Sequence, residues 1–286
     1  MQVTDGSDIQ TNLLRDCDVA IVGSGPAGAT VARRLAGEGA DVVVVEEGPY
    51  IEPEDFPADT FTAFTEMYRD MGSQLTANFP PIPVLQGRVV GGSSVNNGAI
   101  CWQFPREVYE RWCEDDRELE EALPWEVLKE HETQIEEDLK VAPTADAIAG
   151  PNNTLMGEGA EELGLEHRPI RRNVDGDCGR GRCMQGCPEG KKMSMDRSYL
   201  PDAVDRGAEI LSSVRVDRID LADGRARAIE GAARGGGRVR VRADRAVVLA
   251  ASAIQTPALL LRNGIDHGPV GDHLQAGASA NGPRQE

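Results

Sequence analysis

The sequence predicts an α/β fold built on a mostly parallel sheet, and consecutive segments near the amino terminus carry this prediction. Residues 17–22 and 41–45 are short runs of apolar, mostly β-branched residues, as in buried parallel strands. Between them lie a glycine-rich turn, residues 23–28, and a segment with helical spacing of apolar residues, 29–36. This order predicts a strand–helix–strand (βαβ) unit with a right-handed crossover.

The second half of the chain predicts further strands. Three segments are rich in apolar and β-branched residues and predict strands: residues 210–219, 238–241 and 246–250. Asp223-Gly224 is typical of a hairpin turn, and a last helix is predicted over residues 257–262. The fold prediction is therefore a Rossmann-like α/β domain, in which a βαβ unit and a parallel sheet are combined with a β-meander.

The composition excludes one class of partner. The 286 residues include 30 Lys and Arg against 48 Asp and Glu, which gives a net charge of −18. Nucleic acid is excluded as a partner, because affinity for it comes mostly from cations that neutralise phosphates. Few of the basic residues are lysines, and this acidic, lysine-poor composition predicts adaptation to high salt. Codon bias combined with ordinary acidity is the alternative explanation.

No segment has the pattern of a membrane span or of a secretory leader. The longest apolar run, residues 246–261, is interrupted by polar residues and by Pro257. The first eight residues include two aspartates and no basic, apolar leader, so we expect no signal peptide. Six cysteines are too few for a disulfide scaffold. We therefore expect a cytoplasmic protein.

The turn after the first predicted strand has the spacing Gly23-x-Gly25-x-x-Gly28. Gly23 permits the tight turn, Gly25 lets the backbone approach a pyrophosphate, and Gly28 lets the following helix pack against the strand. Glu46, at the end of the second predicted strand, is placed to bind a ribose hydroxyl and disfavours the 2′-phosphate of NADP. These residues predict dinucleotide binding and leave FAD and NAD open.

A second glycine-rich segment, residues 87–97, has the sequence GRVVGGSSVNN. It resembles the signature of the glucose–methanol–choline (GMC) family of flavoprotein oxidoreductases, in which such a run lies against the flavin. Three later segments resemble motifs of the same family in the same order: residues 198–203, 214–219 and 247–265. The resemblance spans roughly residues 15–275, and Ser252 and Asn263 depart from the family's usual glycine and serine.

The resemblance implies FAD, rather than NAD, as the cofactor. It implies a site made of both glycine-rich turns, the acid after the second strand and the valine that meets the adenine: Gly23, Ser24, Gly25, Pro26, Ala27, Gly28, Glu46, Gly92, Ser93, Asn97 and Val216. It also implies oxidation of a CH–OH group of an alcohol or sugar, with hydride transfer to flavin N5 and a base that takes the hydroxyl proton.

The family's catalytic histidine is expected in a segment beyond the C-terminus of this chain, so we predict no catalytic residue among its four histidines. The chain resembles the N-terminal portion of a family member, with the C-terminal substrate domain largely missing. Two alternatives to a working enzyme follow: a catalytically inactive, truncated FAD-binding fragment, and a subunit that acts with a separate C-terminal chain.

These observations divide the chain into five parts. Residues 1–14 are expected to be flexible, and residues 275–286 are expected to form a disordered tail. Residues 15–110 and 188–274 are predicted to be the two parts of the FAD-binding domain. Residues 111–187 are predicted to form an insertion of helices and a cysteine-containing loop.

Three cysteines, Cys178, Cys183 and Cys187, lie close together in this loop. Three thiolates could hold an iron–sulfur cluster or zinc, although the usual number of ligands is four. The segment from Cys183 to Ser194 is similar to a loop of long-chain alcohol oxidases, for which no metal is implied. Some sugar dehydrogenases of the family carry a three-iron cluster on three cysteines. We expect a structural loop without metal, with an iron–sulfur dehydrogenase component as the alternative.

Overall fold

The computed structural model describes residues 1–77, 79–176 and 178–274. These residues form eleven strands: β1 (Thr4–Asp5), β2 (Leu13–Val22), β3 (Val42–Val45), β4 (Gln74–Leu75), β5 (Pro83–Val84), β6 (Val141–Pro143), β7 (Arg171–Asn173), β8 (Glu209–Ser212), β9 (Val214–Ala222), β10 (Arg225–Ala233) and β11 (Arg238–Leu249). They also form eight α-helices: α1 (Pro26–Gly37), α2 (Thr60–Met67), α3 (Arg106–Asp115), α4 (Leu119–Ala122), α5 (Trp125–Asp138), α6 (Pro151–Glu162), α7 (Tyr199–Asp205) and α8 (Ser252–Arg262). The tail expected over residues 275–286 lies outside the described residues.

Seven strands form one sheet, in the order β1-β8-β3-β2-β11-β10-β9. The first five strands in this order, β1, β8, β3, β2 and β11, are parallel to one another. β10 is antiparallel to both β11 and β9. The predicted α/β fold with a mostly parallel sheet is therefore confirmed, and β9, β10 and β11 form the β-meander. β4 pairs with β5 and β6 with β7 in two small sheets.

β2, α1 and β3 form the predicted βαβ unit. The helix begins at Pro26, three residues before the predicted start, because proline suits the first position of a helix. α1 packs closely on the sheet through small side chains, and Ala29 and Ala32 are fully buried. All four residues of β3 are buried valines, as is typical of a parallel strand covered on both faces. The unit therefore fixes the turn that joins β2 to α1.

Ser213 divides the strand predicted over residues 210–219 into β8 and β9. Its φ of 54° is left-handed, a conformation that interrupts an extended strand. The chain turns here toward the end of β3, where the N–H groups of Ser213 and Val214 donate to the carbonyls of Gly48 and Glu46, both at 2.9 Å. The start of β9 therefore lies beside the carboxyl end of β3.

β11 joins the two strands predicted over residues 238–241 and 246–250 into one. Its pairing with β2 shifts register between Ala243 and Ala246, so the intervening polar residues form a bulge rather than a break. The long strand carries the chain from the meander to the carboxyl end of the sheet. α8 then begins at Ser252, five residues before the predicted start.

The N-terminal segment differs from the prediction. Residues 1–14 were expected to be flexible, but Thr4 and Asp5 form β1 and pair with β8 at the edge of the main sheet. Ile9 packs against the hydrophobic core, and β2 already begins at Leu13. A two-residue strand is too short to show a period of alternation, so the sequence pattern could not indicate it.

Helices and a loop connect the two parts of the main sheet. α4 and α5 lie within the predicted insertion, residues 111–187, whereas α3 begins before it, at Arg106. The guanidinium of Arg171 in β7 holds both carboxylate oxygens of Glu136 in α5, which joins this small sheet to the helices. Within the described residues, the cysteine loop from 178 to 188 has neither helix nor strand, and no helix has the length and apolar character needed to cross a membrane.

Candidate functional site

A cavity of about 610 Å³ opens at the carboxyl ends of β2 and β3. Parallel α/β sheets bind their ligands at this edge. The walls come from the turn after β2, the end of β3, the second glycine-rich turn, the start of β9 and the start of α8. Eight of the predicted site residues line it: Gly23, Gly25, Pro26, Ala27, Glu46, Gly92, Ser93 and Val216.

The first turn is shaped by two glycines that cannot be replaced without a clash. A Cβ on Gly28 would lie 1.9 Å from the carbonyl oxygen of Gly23, so the helix could not begin so close to the strand. Gly23 has a φ of 100°, and its Cβ would lie 2.5 Å from the carbonyl of Ala250. These contacts explain the first and third glycines of the motif through backbone packing alone.

Gly25 differs because its Cβ would meet only the Cα of Gly92, at 3.9 Å. The fold itself therefore tolerates a side chain at this position, and the glycine leaves backbone accessible from the cavity. Gly25 is also the N-cap of α1, and as a glycine it has no side chain that could cap the first N–H groups of the helix. Unpaired N–H groups at a helix start are suited to the oxygens of a diphosphate.

The second glycine-rich turn lies directly against the first. Gly91 and Gly92 have φ values of 98° and 58°, and a Cβ on Gly92 would lie 2.8 Å from the Cα of Gly25. The hydroxyl of Ser93 accepts a hydrogen bond from the N–H of Gly87 at 2.9 Å, which closes this turn on itself. The two glycine-rich segments therefore form adjacent walls of one cavity, although 58 residues, 29–86, separate them along the chain.

Ser24 and Glu46 connect the two glycine-rich turns through buried hydrogen bonds. The Ser24 hydroxyl donates to the Glu46 carboxylate at 2.7 Å, and the same carboxylate accepts the N–H groups of Ser24 and Gly48 at 3.0 and 2.9 Å. Burial raises the pKa of Glu46, and these hydrogen bonds oppose the shift. Each carboxylate oxygen can accept more than one bond, so Glu46, which lines the cavity, can still accept a ligand hydroxyl.

Three predicted site residues do not line the cavity. Ser24 is fully buried and Gly28 supports the turn from within the fold. Asn97 is exposed, and its side chain accepts a bond from the N–H of Ala99 at 2.9 Å, which fixes it locally. The structure therefore does not bring the Asn97 amide to the cavity with the other residues.

The cavity also contains residues that the sequence did not indicate. Gln86 donates to the hydroxyl of Ser252 at 2.9 Å, which joins the second turn to the start of α8. Arg69 lies at the cavity wall and pairs with Glu47 at 2.6 Å. Ser252 is one of the two departures from the family motif that the sequence shows, whereas Gln86 and Arg69 stand in no recognisable motif.

The cysteine loop does not resemble a metal centre. Cys187 is buried, and its sulfur accepts the N–H of Lys192 at 3.3 Å, whereas Cys178 and Cys183 are partly exposed. In the described parts of the chain, which omit Asp177 beside Cys178, no group of three His, Cys, Asp or Glu side chains is placed to hold a metal ion. The iron–sulfur alternative therefore has no support from this arrangement.

The residues present fit a dinucleotide. The accessible backbone at Gly25 and the start of α1, which has no N-cap side-chain bond, suit a diphosphate, and Glu46 suits a ribose. Valines on three strands give the cavity apolar surfaces for flat rings: Val22, Val45, Val214 and Val216. No histidine lines the cavity in the described part of the chain, so it offers no imidazole base.

Comparison with known proteins gives two kinds of relatives. The chain is 38% identical over 262 residues to uncharacterized GMC-type oxidoreductase Rv0492c of Mycobacterium tuberculosis, covering 90% of this chain and 41% of that protein. It is 29% identical over 272 residues to long-chain-alcohol oxidase FAO4B of Arabidopsis thaliana, covering 91% of this chain and 36% of that protein. The chain therefore spans less than half the length of these relatives.

A solved structure has the same fold. Pyridoxine 4-oxidase from Mesorbium loti matches with a TM-score of 0.65 at 22% identity, covering 87% of this chain and 52% of that one. Residues 16–78 match the model of an FAD binding domain, and residues 64–277 match the model of GMC oxidoreductase. The match to the GMC oxidoreductase model covers well over half of the 286 residues of this chain. The chain therefore belongs to the GMC oxidoreductase family.

Proposed function

We propose that this chain is the FAD-binding part of an oxidoreductase that acts on CH–OH groups of an alcohol or sugar donor. One observation carries the cofactor proposal: the contact between Gly25 and Gly92, which makes the two glycine-rich turns adjacent walls of one cavity. The match to an FAD binding domain supports it, and the relationship to a long-chain-alcohol oxidase supports the donor class.

In this proposal the first turn and the start of α1 hold the diphosphate of FAD, and Glu46 holds the adenosine ribose. Val216 borders the adenine, and the turn at Gly92 and Ser93 borders the flavin ring. When bound, the flavin supplies a hydride acceptor at N5. The residues of this chain orient the cofactor and exclude water from its diphosphate, while the proton of the donor hydroxyl has no histidine acceptor in the described cavity wall.

Titration of the purified chain with FAD tests cofactor binding, with flavin fluorescence and the visible flavin bands as readouts. We expect saturable uptake, whereas Gly25→Val should lose it because the side chain occupies the space of the diphosphate. The apo fold should survive, since the nearest atom to this Cβ is 3.9 Å away.

The matched control is Gly159→Val in α6, at a residue that does not line the cavity and whose Cβ would meet nothing within 4 Å. This variant should take up FAD like the wild type. Absence of uptake by the wild type, or equal uptake by Gly25→Val, would contradict the proposed cofactor site.

Anaerobic addition of alcohols and sugars to the FAD-loaded chain tests the proposed reaction. Bleaching of the visible flavin bands by one donor class would support alcohol oxidation and identify that class. Bound flavin that no donor bleaches would instead indicate a catalytically inactive FAD-binding fragment.

A further inference from the structure

Lys192 places a charged group in the interior of the protein, next to the second glycine-rich turn. Its side chain is fully buried. The ammonium donates to three backbone carbonyls, those of Val95 at 2.5 Å, Cys183 at 2.8 Å and Asn97 at 3.0 Å. Among the described residues no carboxylate lies within ion-pair distance of it.

The number of carbonyls matches the charged form of the side chain. An ammonium has three N–H donors, and each of them has one carbonyl acceptor here. A neutral amine has only two N–H donors, so one of these carbonyls, of which that of Val95 is buried and the other two are partly buried, would lose its partner. Leaving a buried acceptor unsatisfied is costly, and the loop that carries it would relax toward another conformation.

Two of the three carbonyls belong to the second glycine-rich segment itself, residues 87–97, just after its turn at Gly91 and Gly92. Val95 and Asn97 come after Gly92, which contacts Gly25 in the cavity wall. The third carbonyl, that of Cys183, belongs to the cysteine loop. Lys192 therefore connects this loop to the turn that borders the proposed flavin position.

Neighbours of Lys192 support the same turn. The hydroxyl of Ser94 accepts the N–H of Met195 at 3.0 Å and donates to the carbonyl of Gly91 at 2.7 Å. Asp196 lies against Gly91, since a Cβ there would be 3.3 Å from the Asp196 Cβ. Residues 192–196 thus contact residues 91–97 from behind, and we call them the brace. Among the described residues of the brace, Lys192 alone has a charged group that donates to backbone carbonyls of residues 91–97.

We infer that Lys192 is a positioning residue for FAD: its ammonium holds the second glycine-rich turn in the conformation that completes the cofactor cavity. This inference rests on the proposed function for the identity of the ligand. The contact it describes, between the brace and the turn, exists without the ligand and can be measured in the apo protein.

Charge on Lys192 is sensitive to pH because of its surroundings. Burial lowers the pKa of Lys192 to about 8, and the groups that face it, Cys183, Asp196 and Cys187, act in the opposite direction. Arg172 lies beyond them, with its guanidinium 4.0 Å from the Cys183 sulfur. If FAD binding requires the ammonium, binding raises this pKa, and affinity falls as pH rises above the apo value, by at most about tenfold for each pH unit.

Hydrogen–deuterium exchange in the apo protein tests the contact directly. Lys192→Ala should increase amide exchange at residues 91–97, while Lys140→Met, which removes an exposed lysine paired with Asp175, should not. Ethylammonium ion is smaller than the removed part of the side chain and has three N–H donors, so it should restore protection in Lys192→Ala, while tetramethylammonium at the same concentration, which has none, should not. Unchanged exchange in Lys192→Ala would overturn the inference.

FAD affinity gives the second readout. We expect Lys192→Ala to bind FAD at least about tenfold more weakly than the wild type, a loss in keeping with buried charged hydrogen bonds, and ethylammonium to recover part of it. Wild-type affinity should fall above pH 8, and a Cys183→Ser/Cys187→Ser variant should retain this fall, which excludes the thiols as its cause.

The outcomes separate this inference from the proposed function. A wild type that takes up no FAD contradicts the proposed function, while the exchange measurement still decides the role of Lys192. A wild type that binds FAD with the same affinity as Lys192→Ala and with no fall above pH 8 overturns the inference alone. If Lys192→Ala does not fold, the pH profiles of exchange and of affinity in the wild type decide, and flat profiles overturn it.

Discussion

The hydroxyl of Ser24 accepts a hydrogen bond from the backbone N–H of Gly91 at 2.9 Å. The same hydroxyl donates to the Glu46 carboxylate at 2.7 Å, so one buried oxygen connects the first turn, the second turn and the end of β3. A serine in the first glycine motif thus acts on the shape of the cavity from behind its wall. Its role is to join the turns, whereas the sequence predicted direct contact with the cofactor.

Replacement of Ser24 by alanine should loosen this junction. The N–H of Gly91 and one oxygen of Glu46 lose a buried partner, so we expect the free energy of unfolding to fall by about 1–3 kcal/mol and FAD to bind more weakly. Urea unfolding and FAD titration measure the two effects. Ser73→Ala removes an exposed hydroxyl that donates to the carbonyl of Asp70, and this control should change stability by less than about 0.5 kcal/mol.

Replacement of Gly92 by alanine should separate the two turns. The added Cβ would lie 2.8 Å from the Cα of Gly25, and the φ of 58° disfavours any side chain, so we expect a loss of about 1 kcal/mol or more in stability. FAD uptake should be lost as the cavity wall shifts. Gly98→Ala, in the same loop, meets only the Ile100 side chain at 3.7 Å and should bind FAD normally. Equal FAD uptake by the two variants would contradict this account.

Ser252 provides a test of backbone strain. Its φ is 77°, which explains why the resemblance places glycine here, and its hydroxyl accepts a bond from Gln86 at 2.9 Å. Ser252→Ala and Ser252→Gly both lose that bond, but only glycine relieves the strained backbone. We expect the glycine variant to be about 1 kcal/mol more stable than the alanine variant in chemical unfolding. Equal stability would argue against the left-handed conformation at this position.

Glu46 should make stability depend on pH. Burial raises its pKa above the ordinary value of 4.5, so the folded protein binds this proton more tightly than the unfolded chain does. The resulting contribution is complete below the ordinary pKa and is lost as pH rises through the folded value. Relative to Glu46→Gln, the wild type should therefore lose stability with rising pH, by at most about 1.4 kcal/mol for each pH unit between the unfolded and the folded pKa. Parallel curves of unfolding free energy against pH would contradict the prediction.

The βαβ unit could be predicted because each of its signals is local. Glycines with packing contacts, such as Gly23 and Gly28, must stand at fixed spacing between a strand and a helix. The break at Ser213 had no such signal, since the residues on both sides of it are typical of a strand. β1 escaped prediction because two residues carry no periodicity, and its pairing with β8 depends on a segment about two hundred residues away.

The site residues that stand in local motifs could also be predicted, whereas contacts between distant segments could not. Glycines and valines that line the cavity stand in motifs, and the structure brings most of them together. Asn97 also stands in a motif, but a local bond to Ala99 directs its side chain elsewhere. The bond between Gln86 and Ser252 and the three bonds of Lys192 join separate stretches of chain, so no spacing along the sequence could reveal them.

The pairing of β2 with β11 has a consequence for how this protein reaches its native state. Leu13 is opposite Val239, so the centre of the sheet closes only after a loop of more than two hundred residues has been formed. Closing such a loop costs conformational entropy and is slow, and the cavity forms only after β2 and β11 have paired. In a refolding experiment we therefore expect cofactor binding to occur later than helix formation. Its rate would measure the pairing of β2 with β11.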